Sequence, residues 1–383
     1  MHILIIPSWY PDERNINDVN GIFFKELAEA YAQQGNTVSV LAHFIPFPLH
    51  PKKIKNFLIR KSYQTINRVQ TYNVKFLNWS GYRHIDDSSS IEAAVKWFGR
   101  YIRKNGCPQV IHAHSIFNAG LLALKIKEKY NVPYYLTEHG TWFLKEMPDD
   151  AMKVAKKVFR NAKQYTAVGS VLLNKLIESF NTDPNSGKII YNTLPQRFLN
   201  LTVSTRASNK FVFLNIALDG HKKRRDLLID AFACFFKDNL GVELCIGGTT
   251  VENEAIINQA KNLNIKKQIK LLGLLSREQV QQAMANCNAF VLSSDIETFG
   301  IVLIEALSQG KPIISTDSGG PKDIVNETNG ILVPLNDVKA LGEAMKKVKD
   351  NYNNYNAEII REECLNKYHP NVIINQYLSL FQQ

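Results

Sequence analysis

Two glutamates, Glu297 and Glu305, stand eight positions apart in the stretch SSDIETFGIVLIEALSQGKP, residues 293–312. Gly300 lies between them, where an apolar run that reads as a short helix over 303–309 begins. The first N–H groups of a helix have no partner within it and carry its positive dipole end, so they attract an anion such as a phosphate. A glycine at that point lets the anion approach the backbone closely. Inside the helix, Glu305 can accept paired hydrogen bonds from a vicinal diol such as a ribose. Ahead of it, Glu297 can reach a hydroxyl on whatever group the phosphate carries. The spacing suits a sugar nucleotide: phosphates at the helix start beside Ile301 and Val302, ribose on Glu305, sugar on Glu297. Two solvated surface glutamates give the same pattern, so the bare spacing is weak evidence. The GKP that follows is structural, with Gly310 just past the helix and Pro312 stopping it.

The elements that must hold these residues follow from an alternation of apolar runs and helical patterns. HILIIP precedes the helical GIFFKELAEAYAQQG and then TVSVLAHF. QVIHAH, NAGLLALKIKEKY and PYYLTEHG follow, with a helix from about Ala151 before YTAVGS. The alternation breaks at NTLPQRFLNLTVSTRASNK, residues 192–210, which is polar, lacks a period and reads as a linker. A second series then runs from FVFLNIA through RDLLIDAFACFFK, VELCIGG, IKLLG, REQVQQAMANC, AFVLSS and PIISTD to GILVP. Such alternation signals βαβ units, so the expected class is α/β, with two doubly wound parallel sheets facing a central cleft. The expected domains are 1–195, completed by a C-terminal helix at 367–383, and 196–366. Ligands of such sheets bind outside the carboxyl ends of the strands.

Length and composition agree with two globular domains: 383 residues, 45% hydrophobic and 21% charged. No apolar run approaches the ~18 residues needed to span a bilayer. MHILIIPSWYP has neither a basic start nor a small-residue cleavage site, so it reads as a buried strand, and a cytoplasmic location is expected. The five cysteines are scattered and never paired as C-x-x-C, which suggests neither disulfides nor a zinc site. The net charge of +11 suits an anionic partner or a generic basic surface. No nucleic-acid-binding module is recognisable.

The run SSDIETFGIVLIEALSQGKPIISTDSGGPKDIV resembles the signature of the retaining family-4 glycosyltransferases, which have the GT-B fold of two Rossmann-like domains. The resemblance extends over essentially the whole chain. PSWYPDERNINDVNGIFFKELAEAYAQQGNTVSVL is similar to the family's first strand, glycine loop and helix. VIHAHSIFNAG and VPYYLTEHG are similar to its middle strands, and LNIALDGHKKRRDLLIDAF to its lysine-bearing turn.

Carried over by position, the resemblance implies that Glu305 binds the ribose and Glu297 the donor sugar. It puts Phe299, Gly300, Ile301 and Val302 around the diphosphate, Lys223 on its charge and His139 near the donor sugar. Gly21 matches the second glycine of the N-terminal pair, either as a phosphate contact or as a turn residue, and Asn20 replaces the first. Where the family carries an arginine ahead of the lysine, this chain has Ala217 before Leu218 and Asp219, leaving Lys222 or Arg224 as the second cation. For His112 and His114 a direct role stays open.

The resemblance implies hexosyl transfer from a UDP- or GDP-linked sugar to a hydroxyl acceptor with retention of configuration, without cofactor or metal. The acceptor is expected to be a sugar, a lipid-linked sugar or a polymer, in cell-envelope polysaccharide or glycolipid synthesis. A nucleotide-sugar epimerase of the same architecture is the alternative, and it would convert donor without acceptor. A catalytically idle nucleotide-sugar-binding protein is the third reading.

Two basic segments point to an anionic membrane face. Lys52, Lys53, Lys55, Arg60 and Lys61 surround the apolar Ile54, Phe57, Leu58 and Ile59, while Lys153, Lys156, Lys157 and Arg160 share one helix stripe. Each lysine or arginine beside an anionic leaflet contributes about 1 kcal/mol, over a Debye length. Co-sedimentation with anionic vesicles is therefore expected at low salt and lost at high salt. Equal sedimentation with neutral vesicles, or none with anionic ones, contradicts the membrane reading.

Overall fold

The computed structural model describes residues 1–11, 21–44, 61–75, 88–140, 147–183, 185–200 and 209–383. Asn20 and the basic segment up to Arg60 lie outside the described residues. The chain forms two compact units, Met1–Tyr191 with Ile373–Gln383, and Asn192–Val372. The sequence pattern puts these divisions at 195/196 and 366/367. Of the expected linker, 192–200 belongs to the second unit, where the Leu194 N–H donates to the Tyr368 carbonyl, and 201–208 lies outside the described residues.

The N-terminal unit runs β1 (His2–Pro7), α1 (Ile22–Gln33), β2 (Thr37–Phe44), β3 (Lys61–Ile66), β4 (Val69–Lys75), α2 (Ser88–Asn105) and β5 (Val110–His114). It continues with α3 (Leu121–Tyr130), β6 (Tyr134–Glu138), α4 (Asp149–Asn161), β7 (Gln164–Ala167), α5 (Ser170–Phe180) and β8 (Gly187–Ile189). The strand order is β3-β4-β2-β1-β5-β6-β7-β8. β1 therefore lies between β2 and β5, and the order reverses at the β1/β5 boundary. β1 is an unbroken apolar run because both its faces are covered, as a central parallel strand requires. On α1, Phe24, Leu27, Ala28 and Tyr31 repeat at helical spacing and enter the core, which the C-terminal helix joins through Ile373, Ile374, Tyr377 and Phe381.

One pairing departs from the all-parallel expectation. β3 runs antiparallel to β4, the two joined by Asn67 and Arg68, whose φ angles of 50° and 66° make the primed turn that suits a two-residue hairpin. Without a glycine at the turn, and with polar residues alternating through both strands, this hairpin escapes the apolar pattern.

The C-terminal unit contains β9 (Phe211–Ile216), α6 (Arg225–Phe236), β10 (Val242–Gly247), α7 (Glu254–Asn262), β11 (Ile269–Gly273), α8 (Arg277–Asn286) and β12 (Ala289–Leu292). Next come α9 (Ile301–Ser308), β13 (Ile313–Thr316), β14 (Gly330–Val333), α10 (Val338–Asp350), α11 (Ala357–Tyr368) and the start of α12 (Pro370–Phe381). Its parallel sheet has the order β11-β10-β9-β12-β13-β14, so the chain builds outward from β9 on one side and then crosses to β12 on the other. That reversal is the topological switch point at which open α/β sheets bind ligands.

A buried polar cluster runs across the N-terminal sheet. His112 Nε2 meets Thr137 Oγ1 at 2.8 Å, and Thr137 Oγ1 also meets Thr166 Oγ1 and Tyr377 Oη. Burial pushes the His112 pKa down to about 3, and His114 is likewise held well below its ordinary value. Burial pushes the Glu138 carboxyl up to about 7.

The signs of these shifts set the pH dependence of stability. Unfolded histidines take up protons below pH 6.5 while the buried pair stays neutral, so their contribution is lost as pH falls from 6.5. Glu138 opposes this, because its folded form holds a proton between pH 4.5 and about 7, but it is one group against two. A net uptake of about one proton on unfolding, worth about 1.4 kcal/mol per pH unit, is expected between pH 6.5 and 5. All four tryptophans (Trp9, Trp79, Trp97 and Trp142) belong to the N-terminal half, so their fluorescence in urea reports this unit. Stability should fall towards pH 5, and His112→Gln should flatten the slope. A wild-type curve that is flat or rises over that range contradicts the assignment.

Candidate functional site

At the switch point of the C-terminal unit, the loops after β9 and β12 meet. The chain leaves β9 through a 3-10 turn, His221–Lys223, and Arg224 then takes a left-handed φ of 45° to start α6. The Ser293 hydroxyl donates to the Lys223 carbonyl at 2.8 Å, and the Asp295 N–H donates to the Lys222 carbonyl at 2.8 Å. These bonds bring the two side chains together: Lys223 Nζ donates to Glu297 Oε1 at 2.6 Å, joined there by the Ser294 hydroxyl at 2.8 Å. Lys223 is 28% and Glu297 15% exposed, so the pair is partly shielded yet still open to a ligand. Among the described residues no hydrogen bond reaches Glu297 Oε2.

A third loop, after β13, fixes the backbone of Glu297. Its N–H donates to the Ser318 carbonyl at 2.9 Å, and its carbonyl accepts from the Gly320 N–H at 2.8 Å. Gly320 is required by close approach, since a Cβ there would lie 2.4 Å from the Phe299 nitrogen and Cα. Phe299 is buried edge-on against Tyr368. Gly300 caps α9 with φ 101°, a conformation that favours glycine, and the first bond of the helix runs from the Leu303 N–H to its carbonyl. The N–H groups of Ile301 and Val302 precede that bond and lead the helix.

Glu305, little more than one turn into α9, is fully buried. Arg277, the first residue of α8, donates to its Oε1, and the Arg277 guanidinium also lies 5.5 Å from the centre of the Phe198 ring. Burial raises the Glu305 carboxyl above its ordinary pKa, and Arg277 pulls against that shift. Among the described residues Glu305 Oε2 has no hydrogen-bond partner although it is buried. A buried carboxylate oxygen without a donor is costly, so the position favours a ligand that brings hydroxyl or N–H donors.

The neighbouring cations differ in their commitments. Arg224 pairs with Asp226 and with Asp295, each at 3.1 Å, and also bonds Asn336. Arg225 is buried against Asp219 and the carbonyls of Ala217 and Gly247. Lys222 is exposed. Of the two candidates for a second cation, Arg224 is thus held by carboxylates and Lys222 projects to solvent.

In the N-terminal unit, Gly21 caps α1 with φ 72°, and a Cβ there would lie 2.8 Å from the Trp9 carbonyl oxygen, so only glycine fits. Phe23 and Phe24 at the start of α1 pack against the ring of His139, with centroids 5.2 and 5.1 Å away. His139 follows the end of β6 and is half-buried. Its Nε2 lies 3.0 Å from Nδ1 of the fully buried His114. The Glu138 carboxylate accepts from the backbone N–H groups of Ile116, His139 and Gly140 at 2.9, 2.8 and 3.0 Å, tying together the loops that follow β5 and β6.

Lys223 and Glu297 therefore meet. Gly300, Ile301 and Val302 form the start of α9 with Phe299 buried just before it, and Glu305 lies inside that helix on Arg277. In the N-terminal unit, Gly21 starts the α1 whose Phe23 and Phe24 pack on His139. Sequence reasoning passed over Arg277, Ser294 and Glu138. The capping sequence SREQ before α8 marks the position of Arg277 but not its partner, which comes from a different helix. The two histidines of IHAH separate clearly: His112 belongs to the threonine–tyrosine cluster and His114 to His139. On α4, Lys153, Lys157 and Arg160 are exposed, and Lys157 pairs with Glu128 at 2.7 Å.

Comparison with known proteins gives a consistent result. Residues 199–363 match the family Glycosyl transferases group 1, and residues 21–195 match Glycosyltransferase Family 4. A 2-deoxystreptamine N-acetyl-D-glucosaminyltransferase of Niallia circulans is 26% identical, over 93% of this chain and 95% of its own. A probable sucrose-phosphate synthase of Thermosipho melanesiensis is 23% identical, over 94% of this chain and 90% of its own. Among solved structures, Anabaena HepE in complex with UDP and glucose superposes with a TM-score of 0.74 at 16% identity, covering 100% of both chains. The sucrose-phosphate synthase of Thermosynechococcus elongatus gives 0.77 at 18% identity, covering 100% of this chain and 99% of that one. At these identities the structures establish a shared fold.

Proposed function

The chain belongs to the family-4 glycosyltransferases of GT-B fold, and we propose that it moves a hexosyl group from a UDP- or GDP-linked sugar to a hydroxyl acceptor with retention of configuration. The observation that carries this reading is the Lys223–Glu297 pair at the switch point of the C-terminal sheet, directly ahead of the α9 N-terminus. The diphosphate binds there, its charge met by Lys223 and by the leading N–H groups of Ile301 and Val302. The ribose diol donates to Glu305, whose Oε1 is held by Arg277 and whose Oε2 has no hydrogen-bond partner among the described residues. Glu297 accepts from a sugar hydroxyl through Oε2, and the resemblance implies a role for His139 near the donor sugar.

The bond from the sugar's anomeric carbon to the phosphate oxygen breaks, and negative charge grows on the diphosphate. The acceptor oxygen bonds to the anomeric carbon from the same face. Its proton passes to the departing phosphate oxygen, so no carboxylate nucleophile and no metal are invoked. Lys222 is the candidate second cation, because Arg224 is already engaged. The relatives' named activities support a nucleotide-sugar donor, and UDP is the nucleotide in the HepE complex. We assign the acceptor to cell-envelope polysaccharide or glycolipid synthesis at the cytoplasmic membrane face, on the strength of the +11 charge and the exposed α4 stripe.

A melting panel of UDP-, GDP- and ADP-sugars identifies the base, because a ligand that binds only the folded state raises the melting temperature. With that nucleoside diphosphate, calorimetry tests the ribose site. Glu305→Gln keeps an acceptor for Arg277 but removes the charge. Charge-assisted hydrogen bonds are worth about 1.5–3 kcal/mol, so affinity should fall at least about tenfold. Wild-type affinity would place the ribose elsewhere.

A further inference from the structure

We propose that Arg225 is a positioning residue for transfer, closing the loop after β9 so that Lys223 is held in its place against Glu297. The inference rests on the reading of Lys223 as the cation that meets the diphosphate.

The loop cannot be held by apolar packing. Leu218, Asp219, Gly220, His221 and Lys222 are exposed one after another, so polar bonds must fix the turn that follows. The Lys223 N–H donates to the Gly220 carbonyl at 3.0 Å and the Arg224 N–H to the His221 carbonyl at 3.1 Å, which closes the turn but anchors it to nothing. Arg224 also takes a left-handed φ of 45°, a conformation that a residue with a side chain adopts when its surroundings impose it.

Arg225 supplies the anchor. Its Nη1 donates to the Asp219 carboxylate, and its Nη2 donates to the Ala217 carbonyl and, at 3.3 Å, to the Gly247 carbonyl. One side chain at the end of the loop thus grips its beginning, and Lys223 lies on the closed segment between them. The planar guanidinium has enough donors to serve a carboxylate and two carbonyls at once. The grip extends to the loop after β10. The Thr249 hydroxyl donates to Asp219 Oδ2 at 3.1 Å, and the Asn253 side-chain amide donates to Thr249 Oγ1 at 2.8 Å. Gly248 lies against this loop, since a Cβ there would stand 2.1 Å from the Ala217 carbonyl oxygen. The lysine turn is therefore fastened on the β10 side by Arg225 and on the β12 side by Ser293 and Asp295. Arg225 is only 9% exposed, and burying a guanidinium is costly where an apolar residue often serves stability as well. Its bonds point to the placing of the loop.

Nitrogen NMR on the full chain with ¹⁵N-labelled lysine tests this without any donor, with Lys223→Ala serving to assign the signal. The wild-type ammonium of Lys223, held by Glu297, should give a signal distinct from those of solvated lysines. In Arg225→Met it should move into their range. Asp219→Ala removes the exposed partner of the clasp without touching the core, and should move the signal the same way even if Arg225→Met does not fold. With the donor selected by the melting panel, Arg225→Met should lower kcat by up to about 100-fold, the scale of a 1 Å misplacement, with KM little changed. Arg225→Lys, which keeps the charge and part of the grip, should recover some of that loss. In a Lys223→Ala background Arg225→Met should cost nothing further, because it acts through the lysine. A wild-type Lys223 signal indistinguishable from solvated lysines, a signal unchanged in the folded variants, or losses that add in the double variant overturn the proposal. A displaced signal with wild-type kcat overturns instead the placing of Lys223 on the diphosphate.

Discussion

An ammonium and a carboxylate 2.6 Å apart, on loops that leave two adjacent strands, are the constraint around which the C-terminal unit is organised. Lys223 and Glu297 are 74 residues apart in the chain and meet only because β9 and β12 are neighbours at the reversal of strand order. A partly shielded ion pair is stable when further hydrogen bonds hold its geometry. Here Ser294 supplies one to the carboxylate, Ser293 anchors the lysine's backbone, and the loop after β13 clamps both sides of the Glu297 peptide. The outcome is a cation paired with a carboxylate that precedes the start of α9, the place proposed above for the diphosphate.

The same unit buries a second carboxylate at a greater cost. Glu305 has no solvent, one arginine and an oxygen to spare. Replacing such a pair with apolar residues is often neutral or stabilising, so its presence is better explained by binding than by folding. The glycines at 300 and 320 belong to the same design: one supplies the left-handed start of α9, the other lets a loop lie against the Phe299 backbone.

Much of this was legible in the sequence. Buried parallel strands are continuous apolar runs, and HILIIP, QVIHAH and AFVLSS announce themselves because both faces of each strand are covered. Gly300 was legible because a helix start imposes local rules on residue type, whereas Glu297 and Glu305 stood out through the family resemblance and not through their spacing alone. What escaped was of two kinds. The β3–β4 hairpin lies at the edge of its sheet, where polar residues are tolerated and Asn67-Arg68 replaces a glycine turn. Arg277, Ser294 and Glu138 act through partners that tertiary packing brings to them, and no spacing in the chain encodes those distances. The two histidines of IHAH illustrate the limit: alternate positions on one strand, yet one is locked in a threonine–tyrosine cluster and the other faces His139.

The central claim is that Lys223 meets charge that develops as the sugar leaves, and not merely charge already present in the bound donor. The measurement that separates these is the steady-state kinetics of Lys223→Ala with the preferred donor and saturating acceptor. Charge growing on the leaving diphosphate predicts a fall in kcat that exceeds any rise in KM, because the interaction is stronger in the transition state than in the ground state. An unchanged kcat with only a raised KM would show that the lysine provides uniform binding and would contradict the account.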